Sequence, residues 1–208
     1  MIDAGSVLKR FIVFEGIDGA GTTTQARALA RRLQAAGPAV WSTSEPTERP
    51  VGRLVRRVLA GEISVSPETV AHLFAADRSD HLSSQRGICA RLEAGEIVVC
   101  DRYKYSSLAY QGIDVDPGLV GLLNARFPDP GLVFFLDLPA DVGDRRLAHR
   151  ARREIYENVA FQEKVRERYR TVLAEAGGSS RVVTLDGSLP PSAIAEKIWE
   201  TIVDSSIL

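Results

Sequence analysis

The feature that most constrains this chain is a glycine-rich loop between a predicted strand and a predicted helix, in the stretch FIVFEGIDGAGTTTQ. Residues 11–15 are mostly apolar and β-prone, which predicts a buried strand, and residues 25–33 predict a helix. Gly16, Gly19 and Gly21 fall between them. In this setting, backbone N–H groups can surround a phosphate at a helix N-terminus. We therefore predict a nucleotide-phosphate site at residues 16–23, called the phosphate loop below.

The loop matches the GxxxxGK[ST] pattern with one departure, because Thr22 occupies the lysine position. Thr23 follows at the Ser/Thr position, whose hydroxyl would hold Mg²⁺. Loss of the lysine removes a point charge from the β- and γ-phosphates but leaves the backbone amides in place. Either another residue supplies the cation, or the protein binds a nucleotide without turning it over.

Size and charge narrow the class of protein. A chain of 208 residues is most simply one domain. A net charge of −1 argues against a nucleic-acid or membrane surface, and no apolar run approaches a membrane span. The first residues lack a signal-peptide pattern, and two cysteines are too few for a disulfide framework. We expect a cytoplasmic protein with a loose leader over residues 1–8.

Predicted strands and helices alternate along the chain. Strands are predicted at residues 11–15, 39–43, 96–100, 132–136 and 181–185, with helical patterns between them. Alternation of this kind is typical of an α/β fold, a parallel sheet covered on both faces. Ligands bind at the carboxyl ends of such strands, where the phosphate loop, Glu45 and Asp101-Arg102 are predicted to lie.

The whole chain resembles the thymidylate kinase family. The matching stretches are FEGIDGAGTTTQ, SEPT, FAADRSDH, DRYKYSSLAYQG and IYENVAFQ, in the family's order. The resemblance implies a three-layer α/β/α fold of the P-loop NTPase type, with a five-stranded parallel sheet. It also implies a single domain over residues 1–208 with an arginine-bearing lid at about residues 145–157. The implied reaction is transfer of the ATP γ-phosphoryl group to dTMP with Mg²⁺, in a homodimer. Thr22 departs from the family pattern, as does Ser44, where many bacterial members have Arg.

The resemblance assigns an acceptor pocket for dTMP. It implies that Asp18 meets the 3′-hydroxyl or a metal-bound water, and that a cis Glu45–Pro46 bond shapes the pocket. Phe74 would stack on thymine and Arg78 would bond its carbonyl edge, and the two lie four residues apart on a predicted helix. The alternative is a core Phe beside a solvated Arg. Base and sugar contacts are implied for Ser107, Tyr110, Gln111 and Tyr156.

The resemblance also implies which residues bind the phosphates and the metal. ATP would bind Gly16, Asp18, Gly19, Ala20, Gly21, Thr22, Thr23, Thr24 and Arg146. Mg²⁺ would be held by Thr23 and Asp101, and Arg102 would clamp the acceptor phosphate, because guanidinium matches phosphate oxygens bidentately. A structural Asp101–Arg102 ion pair is the alternative.

The catalytic residues implied are Asp18, Arg102, Arg150 and Arg153, and our hypothesis is that Arg150 or Arg153 substitutes for the missing lysine. Asp77 is predicted to be structural, and Lys104 is predicted to lie on the surface.

Two other functions stay open. One is a related kinase that acts on a different nucleotide, and the other is a nucleotide-binding pseudoenzyme in which Thr22 marks lost catalysis. A GTPase is disfavoured, because the sequence has no NKxD-type base-reading motif.

Overall fold

Five parallel strands form one sheet: β1 (Val7–Gly16), β2 (Val40–Ser44), β3 (Ile97–Asp101), β4 (Asp129–Asp137) and β5 (Arg181–Asp186). The strand order is β2-β3-β1-β4-β5, so β1 lies at the centre. The computed structural model describes residues 6–148, 156, 158–176, 180–205 and 207. The predicted five-stranded parallel sheet is confirmed.

Helices connect the strands and flank the sheet. They are α1 (Thr22–Ala35), α2 (Pro50–Leu59), α3 (Pro67–Ser83), α4 (Ile88–Glu93), α5 (Lys104–Asp114), α6 (Pro117–Ala125), α7 (Ala140–Leu147), α8 (Val159–Ala176) and α9 (Pro191–Val203). Among these described helices, none combines the length and apolarity that a bilayer crossing requires.

Alternate residues of β1 belong to different hydrophobic clusters. Ile12 and Phe14 pack in the larger cluster, with side chains of α1, α5, α8 and α9. Phe11 and Val13 pack in a second cluster, with side chains of α3 and α4. Because successive side chains of a strand point to opposite faces, both faces of the sheet are covered, as the three-layer prediction requires.

The strand register brings the carboxyl ends of three strands together. Phe14 of β1 pairs with Asp101 of β3, and Ser44 of β2 pairs with the same residue. On the other side, Gly16 pairs with Leu136 of β4. The residues that follow β1, β2 and β3 therefore meet at one edge of the sheet.

The structure corrects two predictions of secondary structure. Val7 and Leu8 belong to β1 instead of a loose leader, because they pair with Asp129 and Pro130 of β4. Helix α5 was not predicted, although it carries several of the implied site residues. Most of the predicted lid, residues 149–155 and 157, lies outside the described residues.

Replacing the Phe134 ring should test the core at the centre of the sheet. Phe134 is fully buried and stacks on Phe14 with ring centroids 5.2 Å apart. Phe134→Ala should lower the free energy of unfolding by about 3–5 kcal/mol, since it removes buried contacts and leaves a cavity. Urea denaturation measures this value. Leu122→Ala is the control, because Leu122 is 76% exposed, and a similar loss there would contradict the assignment of the core.

Candidate active site

One cleft of about 820 Å³ opens at the carboxyl ends of β1, β2 and β3. Its walls include the phosphate loop, Glu45-Pro46, Phe74, Arg78, Asp101-Arg102, Tyr110-Gln111, Arg146 and Tyr156. Except for Ser107, Arg150 and Arg153, every predicted site residue lines this cleft or belongs to the phosphate loop on its wall. Ser107 is buried behind the wall, and Arg150 and Arg153 lie outside the described residues.

The phosphate loop turns sharply from β1 into the first turn of α1. Gly19 and Gly21 have positive φ angles of 81° and 92°, which glycine adopts without strain. A Cβ on Gly19 would lie 2.6 Å from the carbonyl oxygen of Gly143 in α7. The first N–H groups of a helix have no partner within it and attract anions. The loop therefore has the backbone geometry that a phosphate-binding site requires.

Thr22, at the position of the family's lysine, is buried and brings no charge. Its methyl group packs beneath the loop, 3.3 Å from where a Cβ on Gly16 would lie. Arg146 of α7 reaches the loop from outside, and its Nη1 donates to the Gly19 carbonyl oxygen at 3.3 Å. Within the described residues, Arg146 is thus a cation placed directly on the loop.

Thr23 and Asp101 form a pair of oxygen donors beneath the loop. The Thr23 hydroxyl donates to Oδ2 of Asp101. Oδ1 of Asp101 is buried and has no hydrogen-bond partner in the described part of the chain. Mg²⁺ is held by one or two protein oxygens, with phosphate and water completing its octahedron. A hydroxyl and a buried, unpartnered carboxylate oxygen fit that requirement, although the described residues contain no cluster of three acidic, His or Cys ligands.

Arg102 follows β3 and spans the cleft. Its φ angle of 69° is unusual for a residue with a side chain. Its Nη1 donates to the Gly16 carbonyl oxygen at 2.9 Å, and its Nη2 lies 2.7 Å from Oδ1 of Asp18. The Tyr110 ring lies 5.3 Å from the guanidinium carbon. Arg102 therefore forms its ion pair with Asp18. Among the described residues it does not form the alternative structural pair with Asp101.

A buried carboxylate, Glu15, fixes the backbone beside Arg102. It accepts hydrogen bonds from the Tyr103 backbone N–H at 2.9 Å, the Ser106 hydroxyl at 2.6 Å and the Tyr169 hydroxyl at 3.0 Å. Burial raises the pKa of Glu15 to about 7, although these donors and Arg102 oppose the rise. Glu15 thereby ties β1 to α5 and α8 around the Arg102 backbone.

Arg78 of α3 is completely buried behind the acceptor side of the cleft. Its Nη2 and Nε lie 2.7 and 2.9 Å from the same oxygen, Oε2 of Glu45, and it also donates to Ser107 and Asn124. Burial alone would raise the pKa of Glu45, but Arg78 and a hydrogen bond with His81 bring it below its ordinary value. Arg78 thus donates four hydrogen bonds to protein acceptors and is fully buried, which excludes the alternative of a solvated Arg.

The acceptor side of the cleft also has aromatic and amide groups. The Glu45–Pro46 bond is cis, as the resemblance implied. Phe74 is half-buried on the cleft wall, and the aromatic ring of Tyr156 lies 5.9 Å from that of Tyr110. The buried Oε1 of Gln111 has no hydrogen-bond partner among the described residues. An aromatic face beside an amide suits a flat base with polar edges.

Two structural expectations had opposite outcomes. Asp77 is structural as predicted, since it accepts hydrogen bonds from the Thr47 N–H at 2.8 Å and the Thr47 hydroxyl at 2.6 Å. The surface prediction for Lys104 was wrong. Its ammonium group is buried, donates to the Phe127 carbonyl oxygen at 2.9 Å and pairs with Asp129 at 2.7 Å.

Sequence reasoning missed three groups at the cleft. Glu15 looked like the polar end of a strand, and Arg56 of α2, which donates to the Pro46 carbonyl oxygen, looked like one of several helix charges. Gln162 of α8 bonds Asp18, although it stood in the matched stretch IYENVAFQ. A charge inside an apolar strand was the available signal for Glu15. Neither helix position carried a comparable signal.

Known proteins are similar to this chain over most of its length. The family model described as "Thymidylate kinase" matches residues 14–198. The chain belongs to the thymidylate kinase family. A thymidylate kinase from Thermomicrobium roseum is 40% identical over 203 residues, which cover 93% of this chain and 94% of that protein. A relative from Treponema pallidum, whose description also names a thymidylate kinase, is 41% identical over 197 residues, with coverage of 93% and 94%. The "Probable thymidylate kinase" of Pyrococcus horikoshii is 40% identical over 188 residues, with coverage of 86% and 89%.

Gly19→Ala should weaken nucleotide binding. The new Cβ would need a positive φ and would collide with the Gly143 carbonyl, so the phosphate loop must shift. We expect about tenfold or greater loss of Mg–ADP affinity in calorimetry, since 1.4 kcal/mol corresponds to tenfold. Gly61→Ala is the matched control, because Gly61 has a φ of 72° with nothing within 4 Å of its Cβ position. Equal effects on binding would contradict the close-approach argument.

Glu15→Gln should change the pH dependence of stability. The pKa of Glu15 is higher in the folded protein than in the unfolded chain, so its protonated form stabilises the fold and this contribution is lost as pH rises from about 4.5 to about 7. Across that window, the unfolding free energy of the parent should fall relative to the variant by about 1.4 kcal/mol per pH unit. Urea titrations at several pH values measure this, with the exposed Glu200→Gln as control. If the difference in unfolding free energy between parent and variant stayed constant with pH, the pKa of Glu15 would not be raised by burial.

Proposed function

We propose that this member of the thymidylate kinase family transfers the γ-phosphoryl group of ATP to dTMP with Mg²⁺. The observation that carries the proposal is Arg102, which bridges the phosphate loop and the pocket beside Tyr110 within one cleft. An enzyme that transfers a phosphoryl group must hold the donor and acceptor phosphates next to each other. A guanidinium that lies between the two binding regions can contact both phosphates.

On the donor side, the amides of the phosphate loop and the first turn of α1 bind the ATP phosphates. Thr23 and Asp101 would hold Mg²⁺, and the bound ion would neutralise charge on the ATP phosphates. Arg146 supplies a cation at the Gly19 carbonyl, where the loop itself has none. Arg150 and Arg153 remain our proposed source of further positive charge, and one of them would replace the missing lysine.

On the acceptor side, Phe74 stacks on thymine and the Gln111 amide bonds its polar edge. Arg78 supports the pocket through Glu45 and Ser107, and it touches the base only if it exchanges one of those partners. Arg102 holds the dTMP phosphate and Asp18 orients Arg102. No general base is required, because the attacking phosphate oxygen is already ionised.

Two wider statements belong to the same proposal. Resemblance to the family supports a single domain acting as a homodimer in the cytoplasm, with small molecules as its only substrates. A net charge of −1 supports the absence of a nucleic-acid or membrane partner.

A substrate panel tests the proposed function. ADP release from Mg–ATP should be fastest with dTMP among dTMP, dUMP, UMP and CMP. Arg102→Lys keeps the charge but loses the bidentate fork, so kcat/KM for dTMP should fall about a hundredfold. Arg126→Lys, at an exposed position, is the control and should match the parent.

The Thr22→Lys variant distinguishes an active enzyme from a nucleotide-binding pseudoenzyme. Turnover in the parent supports replacement of the lysine by arginines. A parent without dTMP-dependent turnover, restored in Thr22→Lys, would establish the pseudoenzyme. Preference for another acceptor would establish the related kinase.

A further inference from the structure

The side-chain amide of Gln162 has every hydrogen-bonding position filled. Its Nε2 donates to Oδ2 of Asp18 at 2.8 Å and to the Tyr156 carbonyl oxygen at 2.9 Å. Its Oε1 accepts from the Asp18 backbone N–H at 3.2 Å and from the Tyr110 hydroxyl at 3.3 Å. An amide offers two donors and two acceptor positions, so these contacts fix both its orientation and its place.

Two of the four bonds hold a single residue of the phosphate loop. Gln162 binds Asp18 through both its backbone N–H and its carboxylate, while the other carboxylate oxygen of Asp18 pairs with Arg102 at 2.7 Å. Asp18 therefore lies between a neutral amide on one side and a guanidinium on the other. Rotation of its side chain would break one contact or the other.

Helix α8 provides a rigid base for this arrangement. Asn158 caps its start by accepting from the Ala160 N–H at 2.9 Å. Tyr169 lies two turns after Gln162, on the same face, and its hydroxyl contacts Arg102 at 3.3 Å and Ser106 at 2.7 Å. One face of α8 thus contacts the phosphate loop through Gln162 and the Arg102 side chain through Tyr169.

We propose that Gln162 is a positioning residue whose amide orients Asp18 and thereby fixes the phosphate loop relative to Arg102. This inference rests on the proposed function, because the loop then holds the donor phosphates and Arg102 the acceptor phosphate. In-line transfer depends on that separation, and a displacement of about 1 Å can cost a hundredfold in rate. Gln162 touches neither reacting group, so it acts through Asp18.

Gln162→Leu tests the role, since leucine fills similar space without an amide. Its kcat/KM for dTMP should fall about ten- to hundredfold, mainly through kcat, while the KM for ATP changes little. Gln34→Leu is the matched control. Gln34 donates one hydrogen bond to the Val40 carbonyl outside the cleft, and its loss should leave kinetics unchanged. Equal kinetics in the parent and Gln162→Leu would overturn the proposal.

The Gln162→Glu variant tests the role through the pH dependence of activity, which would not change if Gln162 only filled space. At pH 8.5 its carboxylate would face that of Asp18 and repel it, whereas the protonated form can donate a hydrogen bond as the amide does. The ratio of the variant's activity to that of the parent should therefore rise about tenfold as the pH is lowered from 8.5 to 6. The other groups facing the amide are Tyr110 and Tyr156, and burial raises the pKa of each. A flat ratio would contradict the proposal.

A binding experiment keeps the inference testable if the parent has no turnover. Calorimetry measures the affinity for dTMP with and without saturating Mg–ADP, in the parent and in Gln162→Leu. The parent should show binding of the two ligands that is energetically coupled. The variant should lose most of this coupling while still unfolding in one cooperative transition. Coupling that is equal in both proteins would overturn the role of Gln162, whatever the outcome for catalysis.

Discussion

The arrangement of the site depends on the parallel pairing of β1 with β3, which sets Phe14 opposite Asp101. From this register, the residues that follow each strand come within hydrogen-bond distance of one another. Thr23 meets Asp101, and Arg102 meets the Gly16 carbonyl. A shift by one residue would turn every side chain of β1 to the opposite face and would separate these pairs.

Two buried carboxylates lie beneath these contacts, and they differ in how their negative charge is compensated. Glu45 has a permanent cation, Arg78, and its pKa lies below its ordinary value. Glu15 is surrounded by neutral donors, with Arg102 nearby, and burial raises its pKa to about 7. A buried charge is costly unless it is paired, so the first site is a fixed ion pair and the second exchanges a proton near neutrality.

Local sequence predicted those parts of the protein that depend on local chemistry. Short apolar runs predicted the five strands, and the glycine spacing predicted the turn of the phosphate loop, because both depend on the preferences of neighbouring residues. The start of α3 is equally local, since the hydroxyl of its N-cap Ser66 accepts from the Thr69 N–H at 3.2 Å.

Contacts between distant residues could not be predicted from local pattern. Lys104 looks like a surface residue until Phe127 and Asp129 are brought beside it. Helix α5 begins directly after Tyr103 without a capping side chain of its own, because Glu15, 88 residues earlier, accepts the Tyr103 N–H. Its start signal therefore lies elsewhere in the chain, where no reading of neighbouring residues would find it.

The contact between Gly19 and Gly143 has a mechanical consequence. Each glycine allows the backbone of the other to approach so closely that an added Cβ would lie 2.6 Å from a carbonyl oxygen. With no side chains between them to flex, the two main chains behave as touching rigid surfaces. A displacement of the loop toward α7 would therefore have to move α7, which carries Arg146, because no side chain lies between the two backbones to absorb it.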